Sequence, residues 1–177
     1  RKKINFILLG DVEVGKSTVA IKFTETKFEQ YYVPSISSER KQKKIIINQH
    51  AYLLNILVLI GGEYDSKKYE KEFSESDFFL LFYDVTNEES FNQIKNNISE
   101  LEKFFSIYEI YGKTFSNICL VGNKYDSENV IKFNEEKVTN FADFYKINKY
   151  EISVKTAKNI NSLINSLVGV FDQCAYS

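Results

Sequence analysis

Residues 10–17, Gly-Asp-Val-Glu-Val-Gly-Lys-Ser, have the pattern G-x-x-x-x-G-K-[ST] and lie between an apolar run at 4–9 and helical periodicity at 14–26. Such a strand–loop–helix unit gathers backbone N–H groups and a helix N-terminus around an anion, because glycine lets the loop turn inward without a Cβ clash. Lys16 supplies an ammonium group to terminal phosphates, and the Ser17 hydroxyl is suited to Mg²⁺. The predicted phosphate-binding residues are Gly10, Glu13, Val14, Gly15, Lys16, Ser17 and Thr18.

Short apolar runs alternate with longer stretches of helical periodicity along the chain. Alternation of this kind favours parallel strand pairing with right-handed crossovers. The two runs on either side of residues 48–50 instead predict a hairpin, with His50 in its exposed turn. The predicted fold class is therefore α/β, a six-stranded, mostly parallel sheet with one antiparallel edge hairpin and helices on both faces. Strands are predicted at residues 4–9, 43–47, 51–59, 78–83, 118–121 and 150–152, and helices at 14–26, 87–108, 135–145 and 160–171.

The composition, 44% hydrophobic and 27% charged over 177 residues, is that of one globular domain. A net charge of −1 argues against a general nucleic-acid binder, which needs a basic excess to neutralise phosphates. We interpret the basic run at 40–44 as a solvated edge strand whose lysines discourage pairing. One histidine and no Cys-x-x-Cys pair exclude a metal cluster, and Cys119 suits the core of a protein in a reducing cytosol. Because the chain has no methionine, we expect it to be an excerpt of a longer protein.

A second motif, Asn123-Lys124-Tyr125-Asp126, directly follows the predicted strand at 118–121 and Gly122. Guanine presents N1–H and a 2-amino group side by side, so the carboxylate of Asp126 can accept both hydrogen bonds, whereas adenine lacks this pair of donors. The Asn123 amide can bond to O6 or N7, and the methylene stem of Lys124 can cover one face of the ring. Ligands of such sheets bind at the carboxyl ends of the strands, where both motifs fall, so the expected ligand is GDP or GTP.

With these two motifs the chain resembles the small GTPase superfamily, of Ras and Rab type, over essentially its whole length. The resemblance implies one P-loop G domain over residues 1–177, GDP or GTP with Mg²⁺, and effector and regulator proteins that contact its switch surfaces. Residues 34–36, Pro-Ser-Ile, resemble the first switch, where Ser35 would replace a Mg²⁺-binding threonine. Ras and Rab features are mixed, which leaves the subfamily open. The further guanine-binding residues that the resemblance implies are Phe28, against the base, and Ser153, Val154 and Lys155, near O6.

The family's second switch, usually D-x-x-G-Q, is degenerate in this sequence, where the aligned residues 58–62 are Val-Leu-Ile-Gly-Gly. Val58 replaces an aspartate that holds Mg²⁺ through water, and a valine has no lone pair with which to do so. Gly61 is retained and can offer its N–H to a γ-phosphate. Gly62 stands where a glutamine orients the attacking water, and Val12 crowds the approach of an activating arginine. The predicted site therefore has phosphate and base contacts but no catalytic side chain.

Three functions follow from this combination. The leading interpretation is a guanine-nucleotide-binding switch or scaffold in membrane trafficking or signalling, with very slow or absent GTP hydrolysis and weakly held Mg²⁺. The second is an active GTPase, in which a partner protein, or Glu63 or Asp65, replaces the lost groups. The third is a nucleotide-free interaction module that keeps only the fold.

The last four residues, Cys174-Ala175-Tyr176-Ser177, match the C-a-a-X prenylation pattern with a serine that favours farnesyl. They follow the last predicted helix without the polybasic stretch that usually supports such an anchor, and a single lipid chain holds poorly. No apolar window approaches the length of a membrane span. The expected location is the cytoplasm, with association at the cytoplasmic face of membranes only through a C-terminal lipid.

Overall fold

The computed structural model describes residues 2–11, 14–24, 39–59, 67–109, 112–123, 133–153, 156 and 158–175. None of the helices in these ranges combines the length and the apolar composition needed to cross a bilayer. The strands are β1 (Lys2–Gly10), β2 (Glu39–Ile47), β3 (His50–Val58), β4 (Phe78–Asp84), β5 (Ile118–Asn123) and β6 (Asn148–Glu151). The helices are α1 (Lys16–Thr24), α2 (Glu70–Glu75), α3 (Glu88–Ile107), α4 (Glu135–Tyr145) and α5 (Ile160–Ala175).

The six strands form one sheet in the order β2-β3-β1-β4-β5-β6. All neighbouring pairs are parallel except β2 and β3, which form an antiparallel hairpin at one edge. This arrangement confirms the predicted fold class. The phosphate motif follows β1 and the guanine motif follows β5, so β4 alone separates the two strands that lead into the site.

Both faces of the central part of the sheet are buried, and alternate residues of each strand point to opposite sides. Ile4, Phe6 and Leu8 of β1 pack in the core that α1 and α5 cover, whereas Ile7 and Leu9 pack in the core beneath α2, α3 and α4. Every residue of β4 is buried, which places this strand in the middle of the molecule. Since a fully buried aliphatic or aromatic side chain contributes about 1.5–3 kcal/mol, these two cores dominate the stability of the fold.

The structure differs from the predicted elements mainly at the hairpin and in the segment before β4. The turn of the hairpin consists of Asn48 and Gln49, with φ of 49° and 65°, so His50 is the exposed first residue of β3 and not a turn residue. Strand β2 begins at Glu39, so the basic run at 40–44 and the predicted strand at 43–47 form one strand, which lies at the edge of the sheet as expected. Helix α2 was not predicted at all, since six residues with one buried side chain, Phe73, carry too little periodicity to register.

Asp172, near the end of α5, is hydrogen-bonded to Lys2 and Tyr52, which lie near the starts of β1 and β3. We call these contacts the polar clamp. The Tyr52 hydroxyl of β3 donates to Oδ2 of Asp172 at 2.5 Å, and Lys2 Nζ donates to its Oδ1 at 2.6 Å. These two donors hold the pKa of the Asp172 carboxyl below its usual range. The clamp therefore stabilises the fold in the state in which Asp172 is ionised.

We expect Tyr52→Phe to lower the melting temperature at pH 7, because it removes one donor to a carboxylate that keeps its charge. A carboxyl with a lowered pKa stabilises the fold fully above the pKa of an unfolded aspartate, about 3.9, and loses that contribution as the pH falls through the lower folded value. In thermal unfolding experiments, the difference in melting temperature between the variant and the unmodified chain should therefore become smaller below about pH 3.9. Tyr145→Phe is the control, since no hydrogen bond of its hydroxyl occurs among the described residues. A difference that stayed constant down to pH 3 would contradict the clamp.

Candidate functional site

Two glycines shape the loop that follows β1. Gly10 has φ of +142°, and a Cβ at this position would stand 2.4 Å from the carbonyl oxygen of Phe82 in β4. Gly15 has φ of +94°, and a Cβ there would stand 2.2 Å from the side-chain nitrogen of Asn123. Both conformations are ones that L side chains rarely adopt. The motif therefore needs glycine at both positions, for backbone conformation and for close approach to the neighbouring strands.

Lys16 begins α1 and turns its side chain back into the loop. It is only 6% exposed, and its Nζ donates to the carbonyl oxygen of Gly10. Burial lowers the pKa of Lys16 to about 8, although the negative charge of Asp11 acts in the opposite direction. A desolvated ammonium group beside a helix N-terminus is a site that an anion can neutralise, so the loop fits a phosphate.

The guanine motif is tied to the phosphate loop by Asn123, the last residue of β5. Asn123 is 3% exposed, and its Nδ2 donates to the carbonyl oxygen of Val14 at 2.9 Å. Its own carbonyl accepts from the backbone N–H of Val85 at 3.1 Å, which fixes the end of β5 beside the end of β4. Sequence analysis assigned Asn123 to the base alone. The structure adds a bracing contact that joins residues 109 positions apart.

Tyr83, which packs beside Gly122 at the end of β5, was not identified from the sequence as part of the site. A Cβ on Gly122 would stand 2.7 Å from the Tyr83 hydroxyl oxygen, so this glycine permits the close packing of β5 on β4. The Tyr83 ring is 2% exposed and makes edge contacts with Phe91 and Phe133, with centroids 5.4 and 5.9 Å away. Burial raises the pKa of Tyr83, which keeps the hydroxyl neutral. Its aromatic neighbours hold β4, which pairs with β5 at Gly122 and Asn123.

Ile152 and Ser153, which follow β6, lie next to the end of β5. The Ile152 N–H donates to the carbonyl oxygen of Gly122 at 2.8 Å. Ser153 is fully buried, and its hydroxyl oxygen accepts from the Thr156 N–H at 3.2 Å. Asn159, with φ of 63°, donates from Nδ2 to the carbonyl oxygen of Glu151 at 2.9 Å. These contacts give Ser153 a role in closing the loop.

The end of β3 offers only apolar side chains. Val58 is 0% exposed and packs in the core beneath α1 and α5, whereas Leu59 is 2% exposed and packs in the opposite core. The Leu59 N–H donates to the carbonyl oxygen of Leu8 at 3.1 Å, which holds this end of β3 against β1. The second switch therefore begins without an oxygen ligand, whichever of these two residues is aligned with the usual aspartate. The described donor set fits Mg²⁺ only in part, through the half-buried Ser17.

The structure brings Gly10, Val14, Gly15 and Lys16 together with Asn123, and it places Ser153 in the adjoining loop. Ser17 and Thr18 lie in the first turn of α1, with Thr18 exposed. Cys119 is buried in the core, and Cys174 is exposed in the last turn of α5, which extends four residues beyond its predicted end. The other predicted site residues lie outside the described residues: Val12, Glu13, Phe28, Ser35, Gly61, Gly62, Lys124, Asp126, Val154 and Lys155.

Comparison with known proteins agrees with this arrangement. The chain is 25% identical to the Ras-related protein Rab-27B of Homo sapiens, in an alignment that covers 97% of this chain and 82% of that protein. It is 26% identical to the Ras-like protein rasX of Dictyostelium discoideum, over 93% of this chain and 74% of that one. It is 29% identical to the Ras-related protein Rab-21 of Mus musculus, in an alignment that covers 91% of this chain and 69% of that protein. The Ras family model matches residues 5–172, and the chain therefore belongs to the Ras family of small GTPases.

Proposed function

We propose that this Ras-family domain binds GDP and GTP as a molecular switch or scaffold and hydrolyses GTP very slowly on its own. The burial of Val58 at the end of β3 is the observation that carries the proposal. An apolar side chain fully enclosed in a core cannot turn toward the phosphates or supply an oxygen ligand. The neighbouring Leu59 is enclosed in the opposite core and offers no substitute.

Nucleotide binding draws on groups that the chain has kept. The buried ammonium of Lys16 and the glycine loop are suited to the β- and γ-phosphates, with the backbone of residues 13–18 and of Gly61 as further donors. Asn123 and Asp126 are assigned to guanine, with Phe28, Lys124 and the loop of Ser153, Val154 and Lys155 around the base. When bound, Mg²⁺ neutralises charge on the phosphates, and we assign Ser17 and Ser35 to it.

Hydrolysis depends on groups that the chain lacks. Catalysis of phosphoryl transfer to water rests on positioning the nucleophile and on stabilising the charge of the transferred group. Gly62 has no side chain with which to orient water, and Val58 offers no lone pair to the metal's water shell. The substitutions therefore affect hydrolysis and metal binding, while the phosphate and base contacts are retained.

The same reasoning proposes how the domain acts. A switch that keeps GTP for long periods signals through the surfaces that contact effector and regulator proteins, in membrane trafficking or signalling. We place it in the cytoplasm, and at the cytoplasmic face of membranes only if Cys174 carries a lipid. Cys174 is exposed at the end of α5, where a modifying enzyme can reach it once the last helical turn opens.

We predict that Asp126→Asn weakens GDP and GTP binding by about 2–3 kcal/mol, because an amide cannot accept both donor hydrogens of guanine. Xanthine presents a carbonyl in place of the 2-amino group, so the variant should prefer xanthine nucleotides. The measurement is a titration of the 177-residue chain with fluorescent GDP and XDP. Lys16→Ala is the matched control: it should weaken both nucleotides equally, because it acts on the phosphates. Unchanged GDP affinity in Asp126→Asn would refute the base assignment.

We further predict that Val58→Asp combined with Gly62→Gln accelerates single-turnover GTP hydrolysis and makes nucleotide release more sensitive to EDTA. The two changes restore an acceptor for the metal's water shell and a group that orients the nucleophile. Release of fluorescent GDP with and without EDTA measures the first effect, and phosphate release measures the second. Gly62→Gln alone keeps Val58 in the core and should also raise the rate of hydrolysis. This single variant keeps the prediction testable if the variant with Val58→Asp does not fold.

The unmodified chain should stay slow in both assays. Hydrolysis as fast as that of the double variant, with the same sensitivity to EDTA, would contradict the proposed loss of function. Acceleration of the unmodified chain by a cell extract would instead favour the GTPase that borrows its water-positioning group from a partner.

A further inference from the structure

Within the part of the chain that the structure describes, no helix covers one face of the sheet toward the hairpin turn, whereas helices cover the rest of that face. In an α/β sheet of this type, helices normally lie on both faces. We call residues that stand side by side on neighbouring strands a rung. On the side of α2 and α3, the six residues of α2 lie over the rung formed by Ile7, Leu57 and Arg40. The Arg40 side chain forms an ion pair with Glu72 of α2 at 2.6 Å. Toward the hairpin turn from this rung, exposure rises sharply: Ile46 is 77% exposed.

The uncovered residues form three further rungs across β2, β3 and β1, given by the strand register. In the first, Gln42 donates to Asn55 and Asn55 donates to Asn5, each at 2.8 Å, and Asn5 donates to the carbonyl oxygen of Glu75 at the same distance. In the second, Lys44 and Lys3 stand on either side of Leu53. The third pairs Ile46 with Ala51. We call this surface the open sheet face: Lys3, Asn5, Gln42, Lys44, Ile46, Ala51, Leu53 and Asn55.

The open sheet face has an apolar strip along β3 between two cations. Leu53 is half-buried, and it belongs to neither core, while Ala51 and Ile46 are exposed beside it. Lys3 and Lys44 are both exposed, and neither forms an ion pair within the described parts of the chain. Lys3 is on β1 and Lys44 is on β2, and β3 lies between these strands. The two outer strands are therefore about 10 Å apart, which is the width of an α-helix. A helix lying along β3 would thus have a lysine on each flank.

The shape of the surroundings favours a helix over a flat membrane. Helix α2 stands at the head of the strip as a wall, with Glu72 and Glu75 facing a recess of about 190 Å³ above Asn5 and Asn55. A planar bilayer surface cannot reach the floor of a recess beside such a wall, whereas a narrow helix can. Two lysines also give little attraction to anionic lipid, at about 1 kcal/mol each. Asp77 offsets part of the charge of Lys3 toward either anionic partner, so the choice between them rests on the shape of the recess.

We propose that the open sheet face binds an acidic amphipathic helix of a partner protein, whose apolar side lies on Leu53 and Ile46 and whose carboxylates meet Lys3 and Lys44. The helix completes the outer helical layer that α2 begins. The rungs involved lie toward the hairpin turn, at the end of β1 opposite to the phosphate loop, so binding does not depend on which nucleotide is present or on nucleotide binding at all.

The test uses two synthetic peptides that are constrained to be helical, because short helices are marginal in water. One carries a leucine stripe flanked by glutamates on both sides, and the other has lysines in place of the glutamates. Fluorescence anisotropy measures their binding to the 177-residue chain loaded with GDP or with a non-hydrolysable GTP analogue, and to Lys16→Ala. We expect the acidic peptide to bind all three proteins with equal affinity and the basic peptide to bind none.

Two double variants locate the site. Lys3→Glu with Lys44→Glu should weaken the acidic peptide by at least about tenfold and create binding of the basic peptide. Lys41→Glu with Lys43→Glu is the control, because it changes the net charge by the same amount but its side chains lie on the opposite face of β2. It should leave the affinity for the acidic peptide within about twofold of that of the unmodified chain. Ile46→Asp should weaken binding without exchanging peptide preference.

Several results would overturn the proposal. These are no binding of the acidic peptide, equal losses in the two double variants, or binding that differs between nucleotide states. Self-association that Ile46→Asp abolishes would assign the face to a second copy of the chain. Binding to phosphatidylserine vesicles that the Lys3 and Lys44 variant abolishes would assign it to lipid.

Discussion

The hydrogen bond from the Asn123 side chain to the Val14 carbonyl holds the phosphate loop and the guanine motif in one site. It spans the end of β4 and is buried, so leaving either partner unsatisfied would cost about 1–3 kcal/mol. The contact requires that residue 15 have no Cβ, because a methyl group there would collide with the Asn123 amide. The two motifs therefore depend on each other: Gly15 is needed as much for the base side of the site as for the phosphate side.

This constraint supports the proposed combination of nucleotide binding with very slow hydrolysis. Asn123, Gly15 and Lys16 are fixed by β1, β5 and the start of α1, which belong to the rigid centre of the sheet. The second switch begins at the end of β3, where Val58 and Leu59 pack in the two cores. Apolar side chains there strengthen the fold and offer no oxygen acceptor, without disturbing the contact between Val14 and Asn123.

The sequence predicted the parts of the fold that rest on periodicity and on motifs with a backbone mechanism. The strands with continuous apolar runs, such as β4, and the phosphate loop at Gly10 and Gly15 were identified because burial and glycine conformation leave a direct trace in the residue types. Helix α2 left no such trace, since it is short and is held by tertiary contacts through Phe73 and Glu72. The half of β2 that precedes residue 43 was recognised only through its basic residues, as an edge strand at 40–44, because its polar residues show no apolar alternation and are held in the sheet by pairing with β3.

Within the site, contacts between distant residues could not be predicted from one sequence. The bracing role of Asn123 and the position of Tyr83 under Gly122 depend on how β4 and β5 align, and the register of two strands is a property of the folded sheet. The pattern Asn-Lys-x-Asp predicts the chemistry of the base site, because hydrogen-bonding groups are a property of the residue types themselves. Residue type thus leads to a prediction of what the site binds, whereas strand register determines how its described residues are held together.

The identity of the nucleotide that the purified chain carries is the most direct test of binding without hydrolysis. The chain is purified under native conditions and denatured, and the released nucleotide is separated by chromatography and quantified against the protein. Retained Lys16 and Asn123 contacts with a degenerate second switch predict guanine nucleotide in near-stoichiometric amount, with a substantial fraction as GTP. Protein that releases no guanine nucleotide, or only GDP after loading with GTP, would contradict the account.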